Sequence, residues 1–299
     1  MKNLQIKGII TPILTPMNND ESINEKELRI QINRQIESGV HGLFPLGTNG
    51  EGYILTKDEK KRILEIVVEE SKGRVPIYAG TGCPGTRDAI ELSLIAKSIG
   101  VDALSIITPY FAAASQEELY IHFYEIAKVV DIPIILYNIP ARTGNSLSPD
   151  TVGKLSEIEN IAGVKDSSGN FDNMLQYIEK TKGRDFSILS GNDSLILWCL
   201  AAGGDGGVAG CANVFPKNMA AIYENFILGN FEKAMESQEN IRSFRNCFKF
   251  GNPNTIVKTA VELLGYSVGK CRNPFSKIPE AGMEAIKKVL AENKEKGIE

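Results

Sequence analysis

Residues 10–20 read ITPILTPMNND. They end the first apolar run of the chain, and the turn that follows contains no glycine. A doubly wound open sheet normally carries a glycine-rich phosphate loop at this place, where bare backbone lets a pyrophosphate approach a helix N-terminus. Its absence bears on the whole chain, because short apolar runs recur after it at 42–47, 75–80, 103–109, 132–139, 161–166, 186–191 and 206–211, the first run being 6–14. Most are continuously apolar rather than alternating, as expected of parallel strands covered on both faces. They lie about 20 to 35 residues apart, the scale of a βα unit. Eight strand–helix alternations predict a (β/α)8 barrel, with the doubly wound sheet as the rival.

Helix signals fall between the runs. Thr56 with Glu59 and Ser115 with Glu118 form capping boxes, each followed by an apolar stripe. Asn24 precedes another stripe that Gly39 would end, and Ser148-Pro149 is a cap followed by proline at the first helical position. After about residue 215 the strand signals stop. Segments 216–228, 231–248, 253–264 and 280–295 read as helical. The expected division is a barrel over 1–228 and a C-terminal helical extension over 229–299.

Composition narrows the function. A net charge of −4 and a pI near 5.5 argue against a nucleic-acid partner. No run approaches the roughly 18 apolar residues of a membrane span, and the N-terminus has no signal-peptide pattern. Five scattered cysteines, none in a CxxC pair, suggest neither a disulfide framework nor a zinc site. A cytoplasmic protein is expected. The two histidines, His41 and His122, lie away from the strand ends, so neither a metal centre nor a serine triad is expected.

Active sites of parallel barrels sit at the C-terminal strand ends. The sixth run is interrupted there by Lys165, in IAGVKDSSG (161–169). One reading is a lysine that snorkels and pairs with a carboxylate. The other is an amine whose charge is disfavoured by burial, free to attack a carbonyl and form an imine. Strand alternation turns the neighbouring Asp166 to the opposite side. Tyr137, at the end of the fifth run, either fills the barrel or shuttles protons beside that lysine. Arg142 suits a carboxylate through its planar fork, or forms a surface salt bridge. The turn GTNGE (47–51) offers backbone N–H groups and the Thr48 hydroxyl.

Together GTNGE, YNIPARTG (137–144), GVKDSSG (163–169) and LSGND (189–193) resemble the dihydrodipicolinate synthase / N-acetylneuraminate lyase family of pyruvate-dependent class I aldolases. The likeness runs in order along nearly the whole chain. It implies a (β/α)8 barrel with a three-helix extension and a homotetramer built as a dimer of dimers. It implies no cofactor beyond a covalent imine of pyruvate on Lys165. Tyr137 would relay protons and Thr48 would link it to a further tyrosine. Thr48 and Asn49 would hold the pyruvate carboxylate, the Val208 carbonyl would face the keto acid, and Tyr110 would lie at the substrate pocket.

Within the family the resemblance is nearest to the synthases, where arginine at the position of Arg142 helps bind L-aspartate 4-semialdehyde. Phe111 stands where the synthases lend a tyrosine across the dimer interface, which leaves the relay short of a hydroxyl unless Tyr110 or water substitutes. Asn49 replaces a threonine, as in some relatives that cleave hydroxy-keto acids. Gly52, Tyr53, Lys57, Lys60 and Pro84 occupy the polar positions of the lysine feedback site, so no inhibition by lysine is expected. Three readings follow: condensation of pyruvate with L-aspartate 4-semialdehyde; cleavage of a 2-keto-3-deoxy sugar acid, a 4-hydroxy-2-oxo acid or a sialic acid to pyruvate; and an oxo-acid-binding barrel without turnover.

Overall fold

The computed structural model describes residues 4–298. Its strands are β1 (Gly8–Thr11), β2 (Gly42–Leu43), β3 (Tyr78–Gly80), β4 (Ala103–Ile107), β5 (Ile134–Asn138), β6 (Ile161–Asp166), β7 (Ser187–Ser190) and β8 (Gly206–Val208). Every pairing is parallel, in the order β2-β1-β8-β7-β6-β5-β4-β3. A parallel bridge between Leu43 and Ile77 joins the two ends of that order. Sequential order with closure is a (β/α)8 barrel and excludes the doubly wound sheet.

Several strands are shorter than their apolar runs, and proline explains the trimming. Pro12 and Pro45 have no N–H to give a ladder, so β1 stops at Thr11 and β2 at Leu43. The capping devices act as expected. Thr56 accepts from the Glu59 N–H while Glu59 accepts from the Thr56 N–H, and Ser115 and Glu118 repeat the exchange. The segment 231–248 is not one helix. It breaks at Ile241 into Phe231–Asn240 and Arg242–Asn246, followed by a tight turn over Cys247–Phe250.

Inward-facing Ile10, Phe44, Tyr78, Ala103, Ile135, Tyr137, Leu189 and Val208 fill the barrel. A larger cluster packs strands against the helices from Leu28 to Cys199. A third joins Ile9 and Leu14 of the barrel to Phe215, Phe244, Ile256, Val261 and Ile286. The C-terminal helices therefore share a core with the barrel wall, which brings their polar residues to the barrel mouth. Among the described residues, no helix is long and apolar enough to cross a membrane, and none of the five cysteines is paired.

Candidate active site

Lys165 lies at the end of β6, 4% exposed. It pairs in register with Tyr137 of β5, so both side chains enter the barrel from adjacent strands. The Lys165 Nζ lies 3.6 Å from the centre of the Tyr137 ring and 4.9 Å from that of Phe44. Among the described residues no carboxylate forms a salt bridge with it. Asp166 faces the other way, where it accepts from Asn138 Nδ2 at 2.8 Å and from the Ser168 hydroxyl at 2.7 Å. Burial pushes the Lys165 amine below its ordinary range, and the charges of Tyr137 and Asp193 oppose that shift only in part.

Tyr137 is equally buried. Burial alone would raise its phenol, but the Lys165 charge and hydrogen bonds with Thr48, Lys165 and Ser167 leave it below the usual value near 10. The Thr48 and Tyr137 hydroxyls share a hydrogen bond of 3.0 Å. An amine, a phenol and a second hydroxyl thus form one connected group in a desolvated setting. That is the chemistry of a nucleophilic amine beside a proton carrier.

A cavity of about 280 Å³ opens over this group. Thr48, Tyr110, Tyr137 and Arg142 line it. Phe44, whose ring centre lies 4.9 Å from the amine, lines it as well, while Lys165, Asn49 and Val208 are not among its lining residues. Val208 is buried in the barrel interior, and the Asn49 amide lies against Gly210, just past β8. Arg142 sits in a one-turn helix, Pro140–Thr143, rather than in a loop. It is exposed, and among the described residues no carboxylate pairs with it, so the salt-bridge reading finds no partner.

Phe111 is fully exposed and holds φ at +82°, a left-handed conformation that a bulky side chain rarely adopts. The loop is pinned by buried Asn145, which donates to the carbonyls of Pro109 and Ala112, both at 2.8 Å, and accepts from the Ala114 N–H at 2.7 Å.

Two further positions bear on the site. A Cβ at Gly191 would fall 1.9 Å from Ser167 Oγ and 3.0 Å from Lys165 Cε, so only glycine leaves room beside the lysine stem. Asp193, buried, accepts from the Cys211 N–H at 2.9 Å and pairs with Arg245 at 3.2 Å. LSGND signalled a strand-end turn there, but Arg245 comes from a helix with no such signal. Among the described residues no group of three His, Cys, Asp or Glu is arranged to hold a metal ion. His41 accepts from the Ile9 N–H and pairs with Glu224 at the N-terminal ends of β1 and β2, opposite the catalytic face, and His122 lies in the helix Gln116–Ala127, buried against Thr86.

A sequence model of the dihydrodipicolinate synthetase family matches residues 5–293. The chain is 43% identical over 289 residues to the 4-hydroxy-tetrahydrodipicolinate synthase of Methanopyrus kandleri, covering 96% of each. Its fold superposes on the 4-hydroxy-tetrahydrodipicolinate synthase of Methylacidiphilum fumariolicum SolV with a TM-score of 0.94 at 34% identity, covering 98% of this chain and 97% of that one. A prophage protein of the dihydrodipicolinic acid synthase family from Escherichia coli K12, solved in complex with pyruvate, superposes with a TM-score of 0.94 at 30% identity, covering 97% and 99%.

Proposed function

This chain belongs to the dihydrodipicolinate synthetase family, and from that premise we propose that it is a 4-hydroxy-tetrahydrodipicolinate synthase, a lyase that joins pyruvate to L-aspartate 4-semialdehyde through an imine on Lys165. The observation that carries the reading is the buried Lys165 amine, without a carboxylate salt-bridge partner among the described residues and set against the Tyr137 ring.

The free amine attacks the pyruvate ketone, water leaves, and an imine forms. Loss of a methyl proton gives an enamine, whose carbon attacks the aldehyde, and the aldehyde oxygen takes up a proton. The amino group of the former aldehyde then attacks the imine carbon and expels the Lys165 amine, which closes the ring and frees the lysine. Tyr137 stands at the amine to carry these protons, with Thr48 next in line. Thr48 and Asn49 hold the pyruvate carboxylate, Gly191 leaves it space beside Lys165, and Val208 borders the keto acid. Arg142, at the cavity wall and without an ion-pair partner among the described residues, takes the carboxylate of the aldehyde, and Tyr110 lines its path. The reaction so drawn uses no cofactor beyond the imine. The barrel, 1–228, carries the chemistry, and 229–299 is the helical extension.

Phe111, exposed on its pinned loop beside Tyr110, supports assembly into a homotetramer in which it covers a neighbouring copy. The unpaired cysteines suit the cytoplasm.

Cleavage of a hydroxy-keto acid to pyruvate is the second reading. It is favoured by the missing hydroxyl at Phe111 and by the amide at Asn49.

Incubation with pyruvate followed by borohydride reduction tests the imine. A mass adduct on Lys165 that disappears in Lys165→Ala is expected. No adduct in the wild type, or an unchanged adduct in the variant, sinks the proposal. Turnover with L-aspartate 4-semialdehyde against a panel of keto acids then separates the two readings.

A further inference from the structure

The turn that presents Thr48 is held in an unfavourable shape. Leu46 and Glu51 both have left-handed backbone, at φ +63° and +55°. A Cβ at Gly52 would fall 2.0 Å from the Leu46 carbonyl oxygen, so the turn closes backbone against backbone. Non-glycine residues keep such conformations only where neighbours enforce them.

The neighbours are distant in sequence. The Glu51 carboxylate is completely buried (0% exposed) and lies 2.5 Å from the Nζ of Lys258, itself 1% exposed. That contact is an ion pair off the hydrogen-bond axis. The other Glu51 oxygen accepts from the Arg272 N–H at 2.9 Å, and Lys258 donates to the Lys270 carbonyl at 3.1 Å. Asn254 stands four residues before Lys258 on the same helix, Pro253–Leu263, and so on the same face. It is buried and donates to the Thr48 carbonyl at 2.7 Å. Thr15 fixes the intervening Gly50 carbonyl at 2.7 Å. One helix of the extension thus grips both ends of the Thr48–Glu51 turn, and the Thr48 hydroxyl meets Tyr137 at its far side.

We infer that Lys258, Glu51 and Asn254 are positioning residues that hold the Thr48 hydroxyl against Tyr137, so that the 253–263 helix sets the rate of proton transfer at the imine. This rests on the Schiff-base reading of Lys165. None of the three touches the reacting atoms. Their effect passes through the turn, and it therefore falls on proton transfer more than on capture of pyruvate.

Glu51→Gln/Lys258→Met removes both charges together and leaves neither ion buried without a partner. Asn254→Ala removes the grip on the Thr48 carbonyl alone. Three readouts are compared at saturating pyruvate: borohydride-trapped adduct on Lys165, deuterium uptake into the pyruvate methyl group in D2O, and kcat. In both variants the adduct is expected to stay within twofold of wild type. Deuterium uptake and kcat are expected to fall at least tenfold in the double variant and about fivefold in Asn254→Ala. Exchange within twofold of wild type in both folded variants overturns the inference. So does a parallel fall of adduct and exchange, or loss of folding in both, since each marks a purely structural anchor. If only one variant folds, its adduct-to-exchange ratio decides alone. Absence of adduct in the wild type refutes the Schiff-base reading itself, an outcome distinct from all of these.

Discussion

Thr48→Val keeps the side-chain shape and removes the hydroxyl that Tyr137 meets at 3.0 Å. The Tyr137 phenol is buried, so its lost partner is not replaced by bulk water. A typical protein hydrogen bond is worth about 0.5–1.5 kcal/mol net, and stranding a buried polar group costs about 1–3 kcal/mol. Full stranding does not apply here, because Lys165 and Ser167 still contact the phenol oxygen. The upper part of the first range, about 1.4 kcal/mol, is therefore the better figure. It corresponds to about a tenfold fall in kcat if Tyr137 carries the proton in the slow step. The Thr48 bond is also one of the interactions that lower the phenol, so its loss raises that group and moves the alkaline limb of the kcat profile to higher pH. Steady-state kinetics from pH 6 to 10, with methyl deuterium exchange as a second probe, measure both effects. Thr48→Ser should recover most of the rate. A Thr48→Val enzyme with at least half the wild-type kcat and unchanged exchange would refute the relay geometry.

Other outcomes follow from the same site. Trapping of pyruvate should rise with pH as the amine loses its proton, with a midpoint below the ordinary lysine value of 10.5 because burial disfavours the charge; a midpoint at or above 10.5 contradicts the desolvated amine. Arg142→Leu should raise KM for L-aspartate 4-semialdehyde about tenfold or more while leaving the pyruvate adduct intact, since about 1.5–3 kcal/mol of charged hydrogen bonding is lost and about 1.4 kcal/mol is tenfold; an unchanged KM removes Arg142 from the carboxylate site. Phe111→Tyr should raise kcat if a third hydroxyl from a neighbouring copy completes the relay, and a flat response shows that the chain works without it. L-lysine at millimolar concentration should leave the rate unchanged, and halving of the rate would show that the substituted positions still bind it.

Much of this architecture is local. The strands are continuous apolar runs, the capping boxes at Thr56 and Ser115 need only residues three apart, and strand ends of a parallel barrel converge on one face. Lys165 and Tyr137 were legible for that reason, as was the turning away of Asp166, which follows from strand alternation alone. Run length was a poorer guide. It overstated β1 and β2, because an apolar side chain says nothing about the missing N–H of Pro12 and Pro45. It also hid the break at Ile241, whose side chain is as apolar and buried as those of an unbroken helix.

By itself the sequence determined the alternation of elements, the residue types at each strand end and the place of the amine, because these depend on spacing within a few residues. Tertiary structure alone decided how the site is assembled. It set the Tyr137 and Phe44 rings beside the Lys165 amine, gave Gly191 its reason to lack a side chain, and placed Arg245 on Asp193. It also brought Asn254 onto Thr48 across 206 positions of chain, and Lys258 onto Glu51. A charge has no periodicity that names its partner. Only closure of the barrel, with the C-terminal helices packed on its wall, leaves the Glu51 carboxylate and the Lys258 amine without water, and so with each other.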